Sequence, residues 1–230
     1  MAVGAGGVIH VNVNCTDLTR SQAFYREELG FQPVTRTAPA SAQDGAAFGL
    51  PEAQWDAWIM GGPSGFGAPV IDLLQWIVPG PVPAPGGGTP GFRALHVAVP
   101  DADPRKLNDP DGTAIELTPG PTALVGVTVG CSDLDRSRRF YEEVVELSGF
   151  VRLEPGKGEA PPAANTIGIW RLALATLDID ADVAWLRRAG VPCRSEPVEM
   201  SMGPGLPMLR FVLFPDPDGT MLELIERPSS

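Results

Sequence analysis

The feature that most constrains the fold of this chain is an internal repeat. The segment Cys-Thr-Asp-Leu-Thr-Arg-Ser-Gln-Ala-Phe-Tyr, which begins at Cys15, returns 116 residues later at Cys131 as Cys-Ser-Asp-Leu-Asp-Arg-Ser-Arg-Arg-Phe-Tyr. A second pair, Asp-Pro-Asp-Gly-Thr-x-x-Glu-Leu, begins at Asp109 and again at Asp216. Self-similarity at a fixed offset indicates repeated structural units. The chain is therefore predicted to consist of two related halves, 1–120 and 121–230.

The two copies predict the same local structure. Each half opens with an apolar strand, 8–14 or 123–130. Thr16 and Ser132 are predicted helix N-caps, with an aspartate next to each in the first helical turn. The Phe-Tyr pair of each copy lies at core spacing on the helix, and each Asp-Pro-Asp-Gly run predicts a tight turn before a final strand. A further helix is predicted over Ala181–Ala189, with Asp180 before it.

Composition and charge restrict the partners of the chain. A net charge of -11 argues against nucleic-acid binding, which requires a basic face. No apolar run approaches the roughly 20 residues of a membrane span, and the first residues do not have the pattern of a signal peptide. The three cysteines have no metal-binding spacing and fit reduced thiols. We expect a cytoplasmic monomer or homodimer that binds a small molecule.

The two histidines of the chain are the first candidates for a site. His10 and His96 each lie in a short predicted strand, and a strand with a carboxylate, Asp72 or Glu116, follows each one. Two imidazoles and two carboxylates on strands of one sheet could hold a divalent cation such as Zn, Ni, Mn, Co or Fe. The alternative is that both histidines are ordinary half-buried strand residues.

The order of these motifs resembles a known superfamily. A strand, an Asp-Leu-x-Arg-Ser-x-x-Phe-Tyr helix, Gly-Phe, three strands and a closing Asp-Pro-Asp-Gly-x-x-x-Glu-Leu are similar to the vicinal oxygen chelate superfamily. That superfamily includes glyoxalases, extradiol dioxygenases, fosfomycin-modifying enzymes and bleomycin-binding proteins. The resemblance covers about residues 8 to 227.

This resemblance implies an α+β fold of tandem βαβββ modules, whose mixed sheets curl into a cup. Four modules are expected. The first and fourth look complete. The second runs only from His96 to Glu116 and has no room for a helix, and the third lacks its last strands.

The resemblance also implies a ligand set on the first and last strands of paired modules: His10, Asp72, His96 and Glu116. In the C-terminal half the matching positions fall on Gly126, Arg171 and Glu223, so that half is expected to bind no metal. Arg171 is expected either to neutralise Glu223 or to anchor a substrate carboxylate. The first module can pair with the second or with the fourth, and pairing with the fourth leaves no intact metal site.

The function that follows is a glyoxalase-like enzyme of lyase, isomerase or epimerase type. A divalent metal would stabilise an enediolate or alkoxide while Glu116 or Asp72 acts as base. One alternative is a metal-independent biosynthetic enzyme that uses Glu223 and Arg171 as catalytic residues. An Fe(II) dioxygenase is disfavoured, because no histidine remains for proton transfer. Another alternative is a small-molecule or antibiotic-binding protein with a cup lined by tryptophans: Trp55, Trp58, Trp76, Trp170 and Trp185.

Overall fold

The computed structural model describes residues 3, 6–84, 91–156 and 162–226, and its elements follow the expected modules. The first module is complete and comprises β1 (Val8–Asn14), α1 (Leu18–Glu27), β2 (Gln32–Thr37), β3 (Gln43–Asp44), β4 (Glu52–Gly61) and β5 (Val70–Val78). The second has no helix and comprises β6 (Gly91–Val99), β7 (Arg105–Asn108) and β8 (Ala114–Pro119).

The third module is truncated as expected. It comprises β9 (Ala123–Cys131), α2 (Leu134–Arg139), a π-helical turn (Phe140–Val144) and β10 (Val151–Pro155). The fourth is complete and comprises β11 (Gly168–Thr176), α3 (Ile179–Arg188), β12 (Val198–Ser201), β13 (Met208–Pro215) and β14 (Met221–Glu226). The predicted α+β architecture of tandem modules is therefore confirmed.

The helix starts differ from the prediction by one or two residues. Asp17 is the N-cap of α1, and its side chain accepts a hydrogen bond from the Arg20 backbone N–H. Asp178 caps α3 in the same way, so that helix begins before the predicted start. Thr16 instead donates its hydroxyl to Asp111 in the tight turn of the second module, at 2.5 Å. Because the aspartate carboxylate accepts the backbone N–H three residues further on, the preceding hydroxyl is available for a contact between modules.

The strands form two sheets, and each sheet combines both halves of the chain. The larger sheet has nine strands in the order β12-β13-β14-β11-β1-β5-β4-β2, with β3 paired to β4. It joins the first module to the fourth through the antiparallel pair β1–β11. The smaller sheet has the order β10-β9-β6-β8-β7 and joins the second module to the third. The open question of module pairing is answered in favour of modules one and four. The halves 1–120 and 121–230 describe the sequence repeat, and in each sheet the strands of the two halves form two blocks that meet at one strand pair.

The alternation of side chains along the larger sheet creates two separate apolar cores. Val11 and Val13 face the helices and the smaller sheet, in a core that also contains Leu172 and Leu222. Residues on the opposite face line the inside of the cup and pack around Phe48, in a second core that includes three tryptophans: Trp55, Trp76 and Trp170. The cup therefore has its own packed wall, supported from behind by the main core.

Hydrogen bonds link the two edge regions of the larger sheet and narrow the cup. Ala38, just after β2, donates its backbone N–H to the Met202 carbonyl at 2.9 Å. The Gln43 side chain bonds both backbone groups of Ser201, at 2.9 and 3.0 Å. Because edge strands carry unpaired backbone groups, these bonds both cover the edges and close one side of the cup. Within the described ranges no helix has the length and apolar character needed to cross a bilayer.

Candidate functional site

A cavity of about 280 Å³ occupies the inside of the cup between the first and fourth modules. Most of its wall is apolar, and Phe48, Trp55 and Trp76 form an aromatic side with edge-on ring contacts. The titratable lining groups are concentrated in one place, on the central strands of the sheet. A mostly apolar cavity with a few converging polar groups is the usual form of a small-molecule site.

Arg171 on β11 is the centre of this polar cluster. Its Nε donates to Glu223 Oε2 on β14 at 2.8 Å, and its Nη2 donates to Asp72 Oδ2 on β5 at 2.8 Å. All three side chains are buried. Arg171 therefore forms an ion pair with Glu223, as one of its two expected roles requires, and a second ion pair with Asp72. One guanidinium thus bridges two carboxylates that come from different halves of the chain.

His10 on β1 lies beside both carboxylates. Its Nε2 is 3.4 Å from Glu223 Oε2 and 3.8 Å from Asp72 Oδ2, and the residue is 7% exposed. Neither contact has the geometry of a hydrogen bond, and this nitrogen has no other partner among the described residues. Two acceptor oxygens around Nε2 favour the imidazole form that carries its proton there.

Asn12 was not among the predicted site residues, yet it belongs to the base of the cup. It lies opposite Arg171 in the β1–β11 register, and its Nδ2 donates to the carbonyl and the carboxylate of Asp72 at 3.2 and 3.3 Å. The signal was present in β1, where His10, Asn12 and Asn14 alternate and therefore share one face of the strand. Asn14 contacts the aromatic wall of the cavity, because its Oδ1 accepts a hydrogen bond from Trp76 Nε1 at 3.1 Å.

The charges of the cluster stabilise one another. Burial alone would raise the pKa of Glu223, but the charge of Arg171, followed by the interactions with His10, holds that pKa below its ordinary value. Burial acts to lower the pKa of Arg171, but the two carboxylates outweigh it and raise the pKa. Arg171 Nη1 nevertheless has no hydrogen-bond partner within the described ranges. The cluster therefore retains a buried donor that its own residues leave unused.

The remaining predicted residues, His96 and Glu116, lie in the smaller sheet. They are neighbours in the parallel β6–β8 register, and His96 Nε2 is 3.9 Å from Glu116 Oε2. Glu116 forms ion pairs with Arg152 at 2.9 Å and Lys106 at 2.7 Å, and hydrogen bonds from these two lower its pKa to about 2. His96 Nε2 contacts Thr128 Oγ1 at 2.7 Å, and burial followed by the charge of Arg152 lowers its pKa.

The expected four-residue metal set is therefore corrected. His10 and Asp72 belong to the nine-stranded sheet, whereas His96 and Glu116 belong to the five-stranded one, so the structure does not bring the four together. Gly126, which pairs with His96 across β6 and β9, contributes no side chain there. The physical reason is how the modules pair. The first strand of module one, β1, pairs with β11 of module four, whereas the first strand of module two, β6, pairs with β9 of module three.

The tryptophans divide between the two cores. Trp55 and Trp76 line the cavity. Trp170 is buried in the same apolar cluster, with its indole N–H bonded to the Pro162 carbonyl at 3.1 Å. Trp58 and Trp185 pack against the main core on the other face of the sheet, so the expectation that all five line the cup is wrong.

The groups at the base of the cup do not fit a divalent metal while Arg171 is present. His10, Asp72 and Glu223 are suitable ligand types, but the guanidinium already binds both carboxylates. A divalent cation beside a buried guanidinium would also face strong repulsion at low dielectric. Among the described residues, no three histidine, cysteine or acidic side chains form a group that could hold a metal ion.

Comparison with known proteins gives similarity at the level of structure. No family model matches the sequence, and no curated protein matches it either. Glyoxalase I from Zea mays matches with a TM-score of 0.62 at 18% identity, over 96% of this chain and 92% of that chain. A candidate dioxygenase from Bacillus subtilis matches with a TM-score of 0.65 at 14% identity, over 98% of this chain and 86% of that one.

A third match is the cppA protein from Streptococcus pneumoniae, with a TM-score of 0.58 at 12% identity, over 96% of this chain and 100% of that one. The similarity extends along nearly the whole chain in each case, and at these identities it concerns the fold. Together with the paired modules, it shows that the chain has the fold of the vicinal oxygen chelate superfamily.

Proposed function

We propose that the protein is a metal-independent enzyme that moves a proton on an uncharged, mostly apolar small molecule bound in the cup. The observation that carries this proposal is the contact of His10 with two buried carboxylates that share Arg171, below an aromatic wall. Buried titratable groups of opposite charge in a cavity are typical of acid–base sites.

His10 is the base in this proposal. With the proton on Nε2, facing Glu223 and Asp72, the other ring nitrogen of the neutral imidazole can accept a proton from the ligand. The two carboxylates would then stabilise the imidazolium that forms, as a buried carboxylate does for a catalytic histidine. Arg171 has a free Nη1 donor that suits an oxygen on which negative charge develops.

The charges around the cavity support an uncharged ligand. Among the described residues that line it, Arg171 is the one permanent cation, and two carboxylates already bind it. A carboxylate or phosphate on the ligand would therefore enter a site whose net charge is negative. The proposal thus departs from the metal-assisted reaction expected from the sequence and retains the metal-independent alternative.

The proposal is tested with 5-nitrobenzisoxazole, an uncharged aromatic molecule. A base removes its ring C–H proton, the N–O bond breaks, and the electron pair goes to oxygen to give a coloured phenolate. We expect catalysis above that of free imidazole, and loss of at least tenfold in His10→Ala. His96→Ala, which changes the histidine of the smaller sheet, is the matched control and should retain the rate.

The second candidate function is ligand binding without catalysis, which the aromatic wall favours. Quenching of Trp55 and Trp76 fluorescence reports occupancy of the cavity independently of turnover. Quenching of the wild-type protein without any rate above free imidazole would contradict the enzyme and support a binding protein. Equal rates in the wild type and His10→Ala would contradict the role of His10.

A further inference from the structure

We infer that the ligand of the cup is a flat two-ring molecule with a carbonyl oxygen at one end and an apolar chain at the other, and that Phe66 selects for the chain. This inference rests on the proposed function for the position of the ligand, and it adds the class of molecule that fits there. It concerns binding and is measured without any proton transfer.

The volume of the cavity sets the size of the ring system. An apolar cavity of about 150 Å³ is large enough to bind benzene. The cup holds about 280 Å³, which gives room for two fused rings. Phe48, Trp55 and Trp76 line one side of this volume, and flat rings pack well against aromatic side chains. A longer molecule must extend out of the cup into solvent.

The two ends of the cavity differ in polarity. At its base, the guanidinium of Arg171 has one donor, Nη1, without a hydrogen-bond partner within the described ranges. That donor suits a carbonyl oxygen of the ligand. The mouth of the cavity is lined by apolar residues that are partly or largely exposed: Phe66, Met202, Leu206 and Pro207. A ligand that matches both ends has its oxygen at the base and an apolar group at the mouth.

Phe66 is the residue that singles out a chain. It lines the cavity and is nevertheless 56% exposed. It lies in the 3-10 turn Gly65–Gly67 between β4 and β5, and backbone hydrogen bonds of 2.9 and 2.8 Å close the turn on both sides of it. Its ring is therefore held at the mouth, opposite the apolar residues of the β12–β13 connection. A chain that passes between them would remove apolar surface from water on both sides.

The experiment uses 7-alkoxycoumarins with chains of one to five carbons. Coumarin is an uncharged two-ring molecule, and its lactone carbonyl lies at the end opposite the 7-alkoxy chain. Dissociation constants are measured by quenching of Trp55 and Trp76 fluorescence. Full burial of one CH₂ group gains about fourfold in affinity, and a chain that stays partly in water should gain about twofold per carbon. We expect about a tenfold gain from the methoxy to the pentoxy compound.

Phe66→Ser should reduce this gain to less than about threefold and leave the affinity for the methoxy compound within about twofold. Phe66→Leu keeps an apolar side chain and should retain at least half of the gain. Leu177→Ser is the matched control, because it removes an apolar side chain that is 75% exposed and does not line the cavity. It should retain the whole gain. Circular dichroism checks the fold of each variant.

The carbonyl end is tested with 7-methoxy-2H-chromene, which has the same two rings and lacks the carbonyl oxygen. It should bind at least about fivefold more weakly than 7-methoxycoumarin. Equal binding of the two compounds would reject an oxygen at the base.

Three further outcomes would overturn the inference. One is a wild type that binds none of the coumarins. Another is an affinity that does not rise with chain length. The third is a rise that persists in Phe66→Ser, because the chain would then gain affinity without Phe66. A protein that binds the series as expected but does not accelerate proton transfer would contradict the proposed enzyme and support this ligand class.

Discussion

Tyr141 in the third module donates its phenolic hydrogen to Asp216 in the fourth, at 3.0 Å, and both groups are buried. The relation repeats between Tyr25 of the first module and Asp109 of the second, at 3.2 Å. Each aspartate also accepts backbone N–H groups of its own turn, such as that of Thr220 at 2.7 Å. The repeated Asp-Pro-Asp-Gly motif thus forms its turn and ties it to a helix of another module.

Tyr141→Phe should therefore destabilise the protein, although it removes only one oxygen atom. Asp216 would lose one of its buried hydrogen bonds, at a cost of about 1–2 kcal/mol in the free energy of unfolding. Urea denaturation followed by circular dichroism measures this change. The pseudo-equivalent Tyr25→Phe should cost a similar amount, and an unchanged midpoint in both variants would refute the role of these bonds.

Arg171→Leu should be far more destabilising than loss of a surface arginine. It leaves Asp72 and Glu223 buried without their cation, and breaking a buried ion pair costs about 3–5 kcal/mol. Arg36→Leu is the control, because Arg36 pairs with Asp56 through two bonds but is largely exposed, and it should cost less than about 1 kcal/mol. Thermal unfolding of the two variants compares them, and losses of equal size would contradict the buried cluster.

The ion pairs of Glu116 should contribute to the free energy of unfolding, and this contribution should be lost in acid. The folded-state pKa of Glu116 is about 2, against an ordinary value of 4.5, so the unfolded chain takes up the proton first as the pH falls. The contribution is complete above pH 4.5 and is lost as the pH falls towards 2. Glu116→Gln should flatten this part of the stability curve, and Arg152→Met should move the Glu116 carboxyl titration, followed by NMR, to higher pH. A titration that Arg152→Met leaves in place would contradict this ion pair as the cause.

Filling the cavity should block ligand binding without loss of the fold. Leu209 lines the cup on β13, and Leu209→Trp adds an aromatic ring to a volume of about 280 Å³. We expect at least a tenfold loss of 5-nitrobenzisoxazole binding. Leu177→Trp lies at an exposed position, 75% accessible, and serves as the control. Fluorescence titration and thermal unfolding together separate occlusion from misfolding, and unchanged binding in Leu209→Trp would place the ligand elsewhere.

The elements of this fold could be predicted from sequence because their signals are local. The repeat at Cys15 and Cys131 marks the strand and helix of two modules, and the short span from His96 to Glu116 correctly predicts a module without a helix. Even the helix starts were wrong by only one or two residues. These features depend on side-chain periodicity, capping and chain length, which can be read from a few residues at a time.

The site could be predicted only in part, because it depends on which modules pair. The contact of Asn12 with Arg171 joins strands about 160 residues apart, and no local pattern in β1 specifies β11 rather than β6 as its partner. The sequence identified four residues at the base of the cup as candidates: His10, Asp72, Arg171 and Glu223. It also grouped His96 and Glu116 with His10 and Asp72, although they lie in the smaller sheet. Whether the site binds a metal was not decidable from ligand types alone, since a guanidinium can take the position between the same carboxylates.

The place of β14 in the larger sheet has a consequence for how the chain is made. It is the last strand in sequence within the described residues, yet it lies between β13 and β11 in the interior of the sheet. Until Glu226 has left the ribosome, β11 has no neighbour on that side and Arg171 lacks Glu223. Until then the nascent chain carries a sheet with an incomplete edge at β11 and part of its apolar face uncovered. Folding of the cup must await synthesis of β14, and until then the uncovered face of the sheet is a site at which the nascent chain can aggregate.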